Sequence, residues 1–188
     1  MLIMEKIVIK SGNILLSEPF SEDPNFRRTV VLLCEHHKEG TIGFILNRPL
    51  EIDLSEAVPD LEGFRSKLYF GGPVQTDTMH FLHDLGDIIE DSVKVTENVY
   101  WGGNFEVAKS LIQQNEAKST NFRFFLGYSG WGKKQLYNEV KHKSWFMNKG
   151  NHNHIFKNRP KSLWKKILKD MGGDYEVVSN FPDDPSLN

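Results

Sequence analysis

The run Thr29-Val30-Val31-Leu32-Leu33 is apolar at every position after its threonine and β-branched at its start. A strand that alternates polar and apolar residues can leave one face in water, whereas one without alternation must be covered on both faces. Gly40 then supplies a turn before a second run, Thr41-Ile42-Gly43-Phe44-Ile45-Leu46, so the two read as an antiparallel pair. Pro49 ends the second strand. Cys34, the lone cysteine, sits at the end of the first run, where a small buried thiol and a reducing compartment are expected.

Further short apolar runs extend the strand pattern, most of them in the first half: Glu5–Ile9, Asn13–Leu16, Lys67–Phe70, Met79–Leu82, Ser92–Val95 and Phe122–Leu126. A short helix is predicted over Leu54–Ala57, stopped before Pro59. Asn104 can cap a helix over Phe105–Gln114, where Val107, Ala108, Leu111 and Ile112 share one face. A second helix is predicted from about Gly132 to Lys141. A third covers Pro160–Met171, with proline in its first turn, a stripe of Leu163, Trp164, Ile167, Leu168 and Met171, and Gly172 at its end. Strands early and helices late, without regular alternation, indicate an α+β fold. One domain over residues 1–180 is expected, with 181–188 an extended or disordered tail.

The 188 residues are 39% hydrophobic, enough apolar surface to exclude a disordered chain. The start lacks a signal-peptide pattern and no apolar stretch reaches the length of a membrane span, so the cytoplasm is the expected location and no membrane partner is expected. Net charge is −2, yet residues 133–169 hold eleven Lys or Arg and one acid, Glu139. That segment carries +10 and leaves −12 for the rest. Lys133, Lys134, Lys141, Lys143, Arg159, Lys161, Lys165, Lys166 and Lys169 are therefore candidate polyanion contacts. Interleaved Tyr137, Trp145, Phe146 and Phe156 would add stacking, while Trp164 lies on its helix's apolar stripe and reads as core. The same charge could meet nucleic acid, an acidic protein, or the acidic half of this chain within a homo-oligomer.

Four blocks carry a resemblance. They are Gly12–Leu16 running on to Asp23-Pro24-Asn25-Phe26-Arg27-Arg28-Thr29-Val30-Val31; Glu35-His36 with Gly40–Pro49; Phe70-Gly71-Gly72-Pro73-Val74; and Leu126–Gly132 with Gln135-Leu136 and Glu139. In this order they resemble the AlgH/YqgE family of bacterial proteins, many of which are labelled transcriptional regulators. The resemblance implies an α+β fold with a strongly curved, largely antiparallel sheet, a binding or regulatory role, and no assigned catalytic residues. Lys133, Lys134 and Tyr137 stand where that family often has Pro or Gly and an acid.

Gly127-Tyr128-Ser129-Gly130-Trp131 has the setting of a strand-to-helix nucleophile elbow, but Trp131 occupies the second glycine position, so a glycine-rich turn plugged by tryptophan is favoured over a catalytic serine. Gly71-Gly72-Pro73 lacks the spacing of a phosphate loop and reads as a tight turn with close backbone approach. Asn47-Arg48 leaves a buried strand and could clamp an anion or bridge to an acid. The candidate ligand contacts are thus His36, Asn47, Arg48, Gly71, Gly72, Ser129, Gly130, Trp131 and Gln135, of which the blocks Asn47-Arg48, Gly71-Gly72 and Ser129–Trp131 are expected to converge on one concavity. An enzyme acting on a small anionic substrate through Ser129, His36 or Asn47-Arg48 is the alternative. His80 and His83 face opposite sides if they lie on a strand, and His152 and His154 lack further ligands, so no metal is predicted. No cofactor is predicted.

Overall fold

Both faces of the Thr29–Leu33 run are covered, as its composition requires. In the computed structural model, which describes residues 8–182, Val30 and Leu32 point into a core shared with Phe44, Leu46, Leu163, Trp164 and Leu168. Val31 and Leu33 point the other way, against Ile45, Trp131, Leu136 and Trp145. A third core gathers Leu54, Leu68, Ala108, Ile112, Phe122 and Phe124.

The strands are β1 (Asn13–Ser17), β2 (Val30–His37), β3 (Gly40–Ile45), β4 (Pro49–Asp53), β5 (Lys67–Phe70), β6 (Val74–His83), β7 (Val93–Thr96), β8 (Val99–Trp101), β9 (Phe122–Gly132) and β10 (Trp145–Lys149). The helices are α1 (Leu54–Ala57), α2 (Phe105–Gln113), α3 (Gln135–Lys141), α4 (His152–Phe156), α5 (Pro160–Met171) and α6 (Asp174–Ser179). The strands form one curved half-barrel sheet in the order β10-β1-β2-β3-β9-β6-β8-β7, with β4 and β5 joined to it through β9. All pairings are antiparallel except β5 with β9. The fold is α+β, and among the described residues helices α3 to α6 follow β9. Among the described residues, no helix is long and apolar enough to cross a membrane.

The helices form where their signals lie. The Asn104 side chain accepts from the N–H groups of Glu106 and Val107, satisfying two donors that the first turn of α2 leaves open. Helix α5 starts with Pro160, buries Leu163, Trp164, Ile167 and Leu168, and ends at Gly172 with φ of 70°. The Trp164 indole donates to the Ser17 carbonyl at 3.0 Å, pinning α5 across the sheet.

Several elements differ from the sequence expectation. Strand β9 continues through Gly127–Gly132, and α3 begins at Gln135, so the supposed strand-to-helix turn is strand. The glycines make this possible. Gly127 adopts φ of +67°, and a Cβ on Gly71 would stand 2.2 Å from the Gly127 carbonyl oxygen, so the two backbones meet where no side chain fits. Pro49 opens β4 rather than merely ending β3, a position where its missing N–H costs no ladder bond. Strands β8 and β10 and helices α4 and α6 were not anticipated. Of the expected Glu5–Ile9 strand, residues 5–7 lie outside the described residues, as do residues 183–188 of the tail.

Trp131 does plug its surroundings. Glu139 Oε2 accepts from the Trp131 indole at 2.9 Å and the Trp145 indole at 2.8 Å, while Oε1 accepts from Gln135 Nε2 at 2.9 Å. One carboxylate thereby ties β9, α3 and β10 together.

Candidate functional site

The three candidate blocks do not line one concavity. Ser129 is fully buried and its hydroxyl donates to the Gly71 carbonyl at 3.1 Å. Gly72 backs directly onto Tyr128 and Ser129. These residues therefore form the seam between β9 and the β5–β6 corner and present no side chain to a ligand. Gly130 and Trp131 line a groove of about 470 Å³ with Glu35 and Tyr128. Gln135 accepts from the Gly132 N–H and donates to Glu139, linking the end of β9 to the first turn of α3. His36 bonds the Thr41 hydroxyl through Nδ1 at 2.7 Å and lines a separate hollow of about 850 Å³ with Lys133, Lys134 and Tyr137.

The Arg48 backbone runs beside the β9 seam, its carbonyl accepting from the Phe70 N–H at 2.8 Å, but the side chains of Asn47 and Arg48 have other partners. The Asn47 side chain accepts from Val30 N–H and donates to the Arg28 carbonyl, both at 2.9 Å, so it continues the ladder between β2 and the chain leaving β3. Arg48 Nη2 donates to the Arg27 carbonyl at 2.8 Å and to the Pro24 carbonyl. Two hollows open here and share Arg28. The first, about 630 Å³, has Phe20, Glu22, Arg27, Arg28 and Arg48 in its wall. The second, about 330 Å³, is walled by Arg28, Asn47, Lys161, Trp164, Lys165 and Phe181.

Among the described residues, the two walls gather five cations, Arg27, Arg28, Arg48, Lys161 and Lys165; Glu22 shares the first wall, and Glu51, whose pKa is lowered by Lys67 and further by Lys161, lies within reach of the Lys161 charge. Lys161 and Lys165 are one turn apart on α5, so both reach the same hollow. Lys161 stands in the first turn, where the helix dipole already disfavours a cation, and no acid accompanies it there. Among the described residues, no ion pair joins Arg48, Lys161 or Lys165 to a carboxylate, whereas Lys67 and Lys133 each have one and Lys109 has two. Arg28 Nη2 donates to the carbonyls of Phe181, at 2.8 Å, and Pro182, and its guanidinium lies 4.8 Å over the Trp164 ring.

The other predicted polyanion contacts are dispersed. Lys133 and Lys134 border the His36 hollow, Lys141 and Lys143 lie at the end of α3, and Arg159 precedes α5. Lys166 donates to Asn158, and Lys169 lies in the last turn of α5. Sequence reasoning missed Arg27, Arg28, Phe20 and Phe181 as site residues. The Arg27-Arg28 doublet ahead of a buried strand was the available signal.

The histidines occupy distinct environments. His80 and His83 do lie on a strand and face opposite sides: His80 meets Phe44, Trp101 and Tyr128, and His83 meets Phe81, Tyr100 and Phe122. His83 Nδ1 accepts from Leu85 N–H while Nε2 donates to the Gly102 carbonyl, which fixes a neutral tautomer. Burial lowers the pKa of His80, His83 and His154. His152 Nε2 bonds Asp84 at 2.9 Å, and Asp84 also accepts from Asn121. Among the described residues, no three His, Cys, Asp or Glu side chains are grouped to hold a metal ion. Burial also raises the pKa of the Cys34 thiol well above its ordinary value, with Glu35 adding to the shift.

Known proteins place this architecture. The AlgH-like family model, a domain of unknown function, matches residues 14–176. The chain belongs to the AlgH-like family. A UPF0301 protein of Cytophaga hutchinsonii is 43% identical over 182 residues, covering 96% of this chain and all of that protein. A UPF0301 protein of Chlorobaculum tepidum is 40% identical over 181 residues, covering 96% and 97% of the two chains. The solution structure of the AlgH protein from Pseudomonas aeruginosa superposes with a TM-score of 0.72 at 24% identity, over 95% of this chain and 98% of that one. The crystal structure of protein DIP2367 from Corynebacterium diphtheriae gives 0.79 at 19% identity over 95% of each. These two likenesses establish the AlgH-like fold, and the family carries no established molecular function.

Proposed function

We propose that this AlgH-like chain is a cytoplasmic binding protein of regulatory type, which engages an anionic partner at the paired hollows around Arg28. The observation that carries the reading is the meeting of Arg27, Arg28 and Arg48 with Lys161 and Lys165 from α5 around the Asn47 clamp. Charge in a recessed wall focuses the field on a ligand more strongly than charge on an open surface. Ser129, the nucleophile of the enzymatic alternative, is buried with its hydroxyl bonded to a backbone carbonyl, which favours binding over group transfer.

Titration of labelled polyphosphate by fluorescence anisotropy tests this. Affinity should fall as salt rises, and the double substitution Arg48→Glu with Lys165→Glu should weaken binding by at least about ten-fold. Reversal of Lys141 and Lys143, which lie away from both hollows, should leave most of the affinity. Equal loss from both charge reversals would refute the assignment of the site.

A further inference from the structure

The paired hollows are separated by a feature that simple anion capture does not need. Phe20 belongs to the wall of the first hollow and Phe181 to the wall of the second, and their rings stack at 5.8 Å between centroids with 13° between planes. Phe181 remains 38% exposed, so a large apolar ring stands open among cations. Arg28 holds it there from beneath by donating to the carbonyls of Phe181 and Pro182. The order across the surface is therefore cation, aromatic, cation: Arg48 on one side, the ring pair in the middle, Lys161 and Lys165 on the other.

From this order we infer that the anionic partner is a single-stranded nucleic acid, with one base stacked on the Phe20–Phe181 ridge and the flanking phosphates in the two hollows. The inference rests on the proposed function and names its ligand class. Inorganic polyanions use the cations and gain nothing from the rings. An acidic peptide meets the cations but has no obligatory flat face at the centre. A duplex keeps its base faces stacked internally, so an exposed ring can take a base only from a strand whose bases are free. In a single strand, phosphate and π-face alternate along the chain, which matches the alternation of the site. Ring stacking and phosphate contact do not read base edges, so recognition should be tolerant of sequence.

The experiment compares labelled oligo(dT) and oligo(U) of about ten nucleotides with a duplex, labelled polyphosphate and poly-glutamate, by anisotropy on the full-length chain. Either single strand should bind more tightly than the duplex or poly-glutamate. Phe181→Ala should weaken strand binding about ten-fold, since stacking contributes on the order of one factor of ten per base, and weaken polyphosphate binding, which uses the cations and not the ring face, by less than about two-fold. Phe181→Tyr, which keeps a stacking ring, should retain the strand affinity, and unchanged circular dichroism would exclude misfolding. The inference is overturned if Phe181→Ala leaves strand binding intact, or weakens polyphosphate equally, or if poly-glutamate or duplex binds best. Polyphosphate binding would in those cases still support the anionic site. Absence of binding by every polyanion at low salt would overturn both.

Discussion

The Glu139 carboxylate offers the sharpest test of how this fold is held together. Glu139→Ala removes the acceptor of two indole N–H groups whose rings are each only 5% exposed, so neither Trp131 nor Trp145 can turn its donor to water without moving out of the core. An unsatisfied buried donor costs about 1–3 kcal/mol, so two cost about 2–6 kcal/mol. The Gln135 amide, on an exposed residue, can be rehydrated and adds little. Water entering the vacated space would recover part of the loss, which places the expected destabilisation at about 3–4 kcal/mol. At about 2–4 °C per kcal/mol for a chain of this size, Tm should fall by about 10 °C. Urea unfolding followed by tryptophan fluorescence measures it, with Trp145→Phe in a double-mutant cycle to isolate the shared bond. Glu139→Gln keeps a carbonyl oxygen with two lone pairs and should retain more than half of the stability difference. A loss below about 1 kcal/mol in Glu139→Ala would refute the clamp, because that is no more than one ordinary hydrogen bond.

Other outcomes follow from the same geometry. Ser129→Ala should cost about 1 kcal/mol through its single bond to Gly71, and serine-directed probes should not label the parent protein; specific labelling at Ser129 would contradict its burial. Gly71→Ala should abolish soluble folding, because its Cβ would overlap the Gly127 carbonyl, whereas Gly63→Ala, at φ of +87° with open space around it, should cost only about 1 kcal/mol. Burial depresses the folded-state pKa of His80, His83 and His154, so their stabilising contribution is complete above the unfolded value of about 6.5 and is lost as pH falls through the folded values. Thermal stability should therefore decline on acidification below about pH 6.5, and His83→Gln should flatten that decline; an unchanged slope would assign the effect to other groups.

The central hairpin was legible because Val30–Leu33 and Ile42–Leu46 carry their two-sided burial in composition alone. Helix α5 was legible because its proline, apolar stripe and terminal glycine agree. The Gly127–Gly132 strand was misread because glycine signals a turn when viewed locally, while here it answers to a backbone that crosses at Gly71-Gly72, more than fifty residues away in sequence. Strand β10 was hidden for a related reason: Trp145–Lys149 shows no alternation, and what organises it, its pairing with β1 and the Glu139 bond to Trp145, comes from segments distant in sequence or without periodic trace. The shared-site expectation failed on the same ground. Asn47 and Ser129 look alike as polar residues within apolar blocks, but their partners, Val30 with Arg28 and Gly71, are set by register. The Arg28 hollows join residues 28, 48 and 165, a convergence that leaves no periodic trace.

The pairing of β1 on both edges has a consequence for synthesis. One edge meets β2 across a short connection, with Leu16 opposite Val30, but the other is filled only by β10, with Asn13 opposite Lys149 and Ser17 opposite Trp145. At about 5–20 residues per second, a ribosome needs on the order of ten seconds to make the missing partner. Throughout that interval the nascent sheet presents an unpaired strand, Ile14-Leu15-Leu16, of the kind that recruits other chains. Closure of this long loop should be the slow phase of refolding as well, so a circular permutant with β10 placed directly before β1 should refold faster than the parent.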